Sequence, residues 1–140
     1  MSNLQYINYK GYGEYAHEVF GYSQAVRVGD RIEISGQGGW DPESGPPALK
    51  EGLEQQIEQA FKNVDLTLRT AGGKGLSQVF QIRSYHVGLS QSPEAVEIMS
   101  KNIKRFFPEH RPLWTCIGVE KLGDPAMLVE IEAVAYDPKT

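Results

Sequence analysis

Glu130 and Glu132 alternate along the run Met127 to Tyr136, opposite Met127, Val129, Ile131 and Ala133. The ordinary place for such a pair is a solvent-facing stripe. Covered by another subunit, one of these carboxylates would lose hydration, and its proton affinity would rise toward the range useful for acid–base work near neutral pH. Cys116 is the one thiol. A nucleophilic role requires a base or cation beside it to make the thiolate, and no adjacent residue in the sequence supplies one. Packing is its ordinary role, and it could line a pocket without attacking anything. His17, His86 and His110 lie far apart and match no metal-ligand spacing, so no metal site is expected. His86, inside a strand-like run, reads as a structural histidine, and His17 and His110 read as surface residues. The glycines of Ser35-Gly36-Gln37-Gly38-Gly39-Trp40 precede no helix and no Lys-Ser/Thr, which excludes a phosphate-binding P-loop. They fit a strand end approached closely by another backbone.

The elements that must position these residues follow from periodicity. Residues 4–9 alternate weakly, as a strand would. Tyr22 to Val28 and Arg31 to Gln37 are β-prone runs joined by Gly29-Asp30, a pair that favours a tight hairpin turn. Residues 38–50 are rich in turn formers and read as a loop. From Leu49 to Ala71, Leu53, Ile57, Ala60, Phe61, Val64 and Leu68 recur at helical steps, and Gly72-Gly73 closes that amphipathic helix. Gln78 to Gly88 returns to β character. Ser92-Pro93 predicts an N-cap followed by proline at the first helical position, opening a second helix that runs to about Phe107 and stops at Pro108. Leu113 to Leu122 and Met127 to Tyr136 are the final strands. The order predicts a single-domain α+β two-layer sandwich, about six strands with two helices on one face.

The chain has 140 residues and a net charge of −4, from 14 basic and 18 acidic residues. That balance offers no electrostatic footprint for a phosphate backbone, so no nucleic-acid partner is expected. No apolar run approaches the roughly 20 residues of a membrane span, and the amino-terminal stretch lacks the apolar segment of a signal peptide. With one cysteine there is no internal disulfide. A cytoplasmic protein is the expectation. Two helices cover only one sheet face, yet Leu113, Thr115, Ile117 and Val119 alternate with Trp114, Cys116 and Gly118, so neither face of that strand is cleanly polar. An uncovered apolar face predicts a partner, most simply a second copy of the chain.

Tyr22, Ile34-Ser35-Gly36-Gln37, the Asp41-Pro42 and Ser44-Gly45 turn, Asn63-Val64, Thr115 to Val119 and Val129 to Ala135 together resemble the reactive intermediate deaminase (Rid, YjgF-like) family, over about residues 20–136. The first twenty residues lie largely outside the resemblance. It implies a chorismate-mutase-like fold, a homotrimer with three clefts between subunits, and hydrolysis of small enamines or imines without metal or organic cofactor. It also implies roles. Tyr22 is the aromatic at the pocket wall, Ser35 with Gly36 the polar strand segment, Cys116 with Thr115 the cleft lining, and Glu130 the carboxylate that handles water.

One position departs from the family pattern. Two residues before the cysteine, deaminating members carry an arginine that grips the substrate carboxylate, and here Trp114 stands in that place. An indole suits stacking or cation–π contact and is a poor anion site. Arg111, three residues upstream, either reaches the cleft from its loop or is a solvated surface charge. The family's helix asparagine has only a loose counterpart, in Ser100 or Asn102. The sequence therefore predicts an atypical Rid-like hydrolase with Glu130 as its catalytic group, and a trimeric small-molecule binding protein as the alternative. A ribonuclease activity is opposed by the acidic balance.

Overall fold

The structure is a computed structural model that describes residues 1–139. The two β-prone runs at Gly29-Asp30 fold back as β2 (Ala25–Val28) and β3 (Arg31–Ile34), with Gly29 at φ +61° in the turn. Ahead of them, β1 (Gln5–Ile7) is the weakly signalled amino-terminal strand, antiparallel to β2. The amphipathic segment forms α2 (Leu53–Thr70), followed by Gly72 at φ +95°. The later elements are β5 (Val79–Val87), α3 (Glu94–Phe106), β6 (Leu113–Val119) and β7 (Val129–Tyr136). The sheet order is β1-β2-β3-β7-β5-β6, antiparallel except for β5 and β6, which run parallel because α3 carries the chain back between them.

The core lies between α2, α3 and one face of the sheet. Ile57, Phe61, Val64 and Leu68 of α2 and Met99 of α3 are fully buried in one cluster with Ile32, Ile82, Val129 and Ile131. No helix is long and apolar enough to cross a membrane among the described residues.

Three features differ from the sequence expectation. Among the described residues the sheet has seven strands rather than six, because Gln37–Gly38 pair with β7 as a short β4. There is also a third helix, α1 (Tyr12–Phe20), in the segment left outside the family resemblance. It is nine residues long, and glycines bound it: Gly11 at φ +78° and Gly21 at φ +83°, whose N–H closes the last turn on Ala16 and His17. Those glycines give a turn-like signal that hides a short helix. Its buried residues Tyr12 and Ala16 form a second cluster with Tyr9, Trp40 and Met127, away from the main core. Finally, Pro93 has helical dihedrals (φ −60°, ψ −22°), but Ser92 makes no side-chain cap; its carbonyl accepts from Ala95 N–H at 3.0 Å.

Candidate functional site

Strand pairing assigns each candidate residue to a face. On β7, Val129, Ile131, Ala133 and Ala135 are buried and point to the helices, which leaves Glu130 and Glu132 on the other, open face, as their alternation requires. Across the ladder Glu130 stands beside Tyr85 and Glu132 beside Arg83. The two glutamates have different surroundings. Glu132 accepts the Tyr85 hydroxyl hydrogen and has the Arg83 guanidinium at 3.8 Å. Glu130 accepts no hydrogen bond among the described residues and is half-buried against Gly36: a Cβ at Gly36 would sit 2.6 to 2.7 Å from its side-chain atoms. Gly36 is thus glycine because the carboxylate occupies the space a side chain would need. Burial pushes the Glu130 carboxyl above its ordinary range, and the charge of Glu132 adds to the rise. This burial arises within one chain, without the covering subunit that the sequence reading invoked for it.

The position of Glu130 depends on the end of β3 and on β4. Gly38 pairs with Glu130 in the ladder. Asn63 of α2 donates to the carbonyls of Gly38 (2.9 Å) and Trp40 (2.8 Å), fixing the strand end against the helix. Gly39 lies so close to the Gln56 backbone that a Cβ would approach it to 2.5 Å, the close backbone approach predicted for this glycine run. Gln56 also holds the segment before β7, donating to the Ala126 carbonyl (2.9 Å) and accepting from Leu128 N–H (2.8 Å).

Glu130 lines a cavity of about 350 Å³ whose other walls include Tyr12 and Phe20 of α1, Tyr22, Trp40, Met127 and Asp124. The Tyr12 ring packs on the Trp40 indole with centroids 4.1 Å apart, and its hydroxyl lies 3.2 Å from that of Tyr22. Behind this wall, Trp40 Nε1 donates to the Tyr9 hydroxyl (3.0 Å), which donates to Gln37 Oε1 (2.8 Å). Burial raises the Tyr9 and Tyr12 phenols, which stay protonated at neutral pH and serve as fixed hydrogen-bonding walls. Sequence reasoning found Tyr22 and Glu130 here and missed Tyr12, Phe20, Trp40, Met127 and Asp124. The available signal was the aromatic density of Tyr12, Tyr15 and Phe20 at near-helical spacing.

Ser35 and Gly36 lie at the same end of the sheet. The Ser35 hydroxyl donates to the Ser23 carbonyl at 2.7 Å, and Ser35 shares with Tyr22 a second cavity of about 440 Å³.

The remaining predicted residues lie elsewhere. Strand β6 is separated from β7 by β5, and its parallel register sets Trp114 beside Ile82 and Cys116 beside Ser84, on the helix-facing side. Trp114 and Glu130 are therefore on opposite faces of the sheet within one chain. Trp114 Nε1 donates to Ser84 Oγ at 2.9 Å, and Ser84 Oγ is 2.8 Å from His86 Nε2. His86 is buried, as expected of a structural histidine, with Nδ1 left without a partner, and burial lowers its pKa, so the ring is neutral. Cys116 is half-buried, Thr115 points to the open face, and Arg111 is exposed ahead of β6. His17 is exposed as expected, but His110 is half-buried, with Nε2 2.7 Å from the Val79 carbonyl. Among the described residues no three His, Cys, Asp or Glu side chains gather where a metal ion could be held.

Residues 16–137 match the family model described as Endoribonuclease L-PSP, and the chain belongs to that family, the YjgF/RutC/Rid group. A RutC family protein of Aquifex aeolicus is 39% identical over 114 residues, covering 81% of this chain and 86% of its own length. The human protein named 2-iminobutanoate/2-iminopropanoate deaminase is 33% identical over 114 residues, covering 81% of this chain and 78% of its own. Among solved structures, protein YJGH superposes with a TM-score of 0.81 at 23% identity, covering 99% of this chain and 100% of that one, a likeness of fold.

Proposed function

We propose that this protein hydrolyses a small imine, or an enamine after tautomerisation, in a cleft completed by a neighbouring copy of the chain, with Glu130 as the catalytic residue. The observation that carries this reading is the Glu130 carboxyl: half-buried, free of hydrogen-bond partners, raised in proton affinity, and facing a cavity of about 350 Å³. A protonated imine is already electrophilic, so the protein has to place water and manage protons. Glu130 takes a proton from the water as its oxygen bonds to the C=N carbon. It returns that proton to the nitrogen as the C–N bond breaks, so that R₂C=NH₂⁺ and H₂O give R₂C=O and NH₄⁺. Membership of the family and the deaminase named among the relatives support this chemistry.

Assembly is part of the proposal. Leu113, Thr115, Ile117 and Val119 lie on the open face of β6, where Leu113 is 66% exposed, Thr115 is exposed and Ile117 and Val119 are half-buried. A homotrimer burying that face would remove the exposed apolar surface. Because one chain holds Trp114 and Glu130 on opposite faces, an indole from Trp114 beside Glu130 would have to come from the β6 edge of another copy. The substrate-binding set is then Tyr22, Ser35 and Gly36 beside Glu130, with Trp114, Thr115, Cys116 and Arg111 coming from the neighbouring edge. The ribonuclease of the family's description has little basic surface to use here, because this chain's cavity lining includes Glu130 and Asp124 and no Lys or Arg, which leaves Arg111 as the basic residue of the proposed set.

The decisive measurement is ammonia release from freshly generated imines by the native assembly. Glu130→Gln is expected to lower the rate by about 10²- to 10⁴-fold with unchanged circular dichroism. A wild-type rate no greater than buffer, or an undiminished Glu130→Gln rate, overturns the hydrolase and leaves the trimeric binding protein. A monomer in sedimentation equilibrium overturns the shared cleft.

A further inference from the structure

The cavity at Glu130 carries a charge and wall chemistry of its own. Its lining holds two carboxylates, Glu130 and Asp124, and no Lys, Arg or His. Phe20, 60% exposed, and half-buried Tyr22 supply aromatic walls, whereas Tyr12 and Trp40 are already packed on each other. The Tyr22 ring is restrained by the 3.2 Å contact between its hydroxyl and that of Tyr12. Aromatic faces are negative at the centre and attract organic cations, and a carboxylate with no hydrogen-bond partner is free to pair with one. An anion would meet the same two carboxylates and the same ring faces as repulsion.

We propose that this cavity selects an organic cation bearing an apolar substituent, a protonated amine or iminium, with Glu130 pairing to the charged nitrogen and Phe20 and Tyr22 enclosing the substituent. The proposal rests on the reading of Glu130 as the working group of this cavity, and it narrows the substrate to imines without a carboxylate. An iminium held in this way keeps its positive charge, and that charge is what makes its carbon electrophilic toward water.

The test uses size-matched, unreactive probes with the native full-length protein: benzyltrimethylammonium, benzyl alcohol and benzoate, followed by ligand-detected NMR titration or calorimetry. The cation is expected to bind at least about tenfold more tightly than the alcohol, and benzoate more weakly than either. Glu130→Gln, nearly isosteric, should abolish the preference for the cation while leaving the alcohol's affinity within about twofold. Phe20→Leu, at an exposed helix end where folding is not at stake, should weaken the cation more than the alcohol. Benzoate binding as tightly as the cation, or an unchanged preference in Glu130→Gln, overturns the proposal. Turnover is read separately. Cation-selective binding without ammonia release removes the hydrolase reading alone, and ammonia release without charge preference removes this inference alone.

Discussion

The edge and the interior of the sheet treat their polar side chains in opposite ways. At the β6 edge, the Trp114 indole, the Ser84 hydroxyl and the His86 imidazole are joined by hydrogen bonds of 2.9 and 2.8 Å, two of the three fully buried, so each has a fixed neighbour. On the interior strand β7, Glu130 lies over a glycine with no side-chain hydrogen bond among the described residues, although a hydroxyl and a guanidinium serve Glu132 two residues away. A polar group already paired is stabilised and chemically quiet; one half-dehydrated and unpaired is costly to fold and ready to act on whatever enters. In the proposed function, the contrast separates a scaffold from a working group.

The sharpest way to break this contrast is to disturb the support of Glu130 without touching it. Asn63→Ala leaves the Gly38 and Trp40 carbonyls unpaired, and the expected loss is about 2–4 kcal/mol in urea unfolding. Deamination should fall with it, because Gly38 is the ladder partner of Glu130. A fully active, equally stable Asn63→Ala would show that the strand end holds its place unaided. Next in size, Ser84→Ala removes the hydroxyl that Trp114 and His86 both contact, with an expected loss of about 1–3 kcal/mol. Because Trp114 belongs to the proposed substrate-binding set, KM should rise with little change in saturated ammonia release per folded molecule. A loss of saturated rate far beyond the loss of folded protein would mean that the β6 edge takes part in the chemical step as well as in binding.

The smallest effect lies in the pH dependence of stability. Glu130 has its carboxyl raised above the ordinary value of 4.5. The native state therefore keeps that proton to a higher pH than the unfolded chain does, and the stability this contributes is full below the unfolded pKa and lost as pH rises through the folded one. Glu130→Gln removes this dependence, so its melting temperature relative to wild type should climb as pH rises from about 4 toward neutrality. A difference that stays flat across that window would mean that Glu130 is as well hydrated in the fold as in the unfolded chain.

Much of the architecture was legible because hydrophobic periods are local. Leu53 to Leu68 announced the apolar core-facing positions of α2, although the helix opens at Leu53 rather than at Leu49, and Gly29-Asp30 announced the β2–β3 turn. The alternation of Glu130 against Val129 and Ile131 placed the carboxylate on the correct face of its own strand. Pairing between strands is not local. Whether Trp114 shares a face with Glu130 depends on a parallel register with β5 that only the α3 crossover determines, and no pattern within β6 reports it. The helix α1 was hidden for a related reason. Its nine residues gain stability from Trp40 and Met127, distant in sequence, rather than from a long periodic stripe of their own.

The helix α1 is secured by backbone contacts: Tyr12 N–H donates to the Pro42 carbonyl at 3.0 Å, and at Gly11 any side chain would strike that same oxygen. The family match begins at residue 16, inside this helix. The roof over the carboxylate is thus anchored to a loop through atoms common to every amino acid, while the floor is built by the sheet. In the proposed function, an exposed roof residue such as Phe20 can vary without repacking the floor, whereas Tyr12, packed on Trp40, cannot, so selectivity can drift while Glu130 stays where it is.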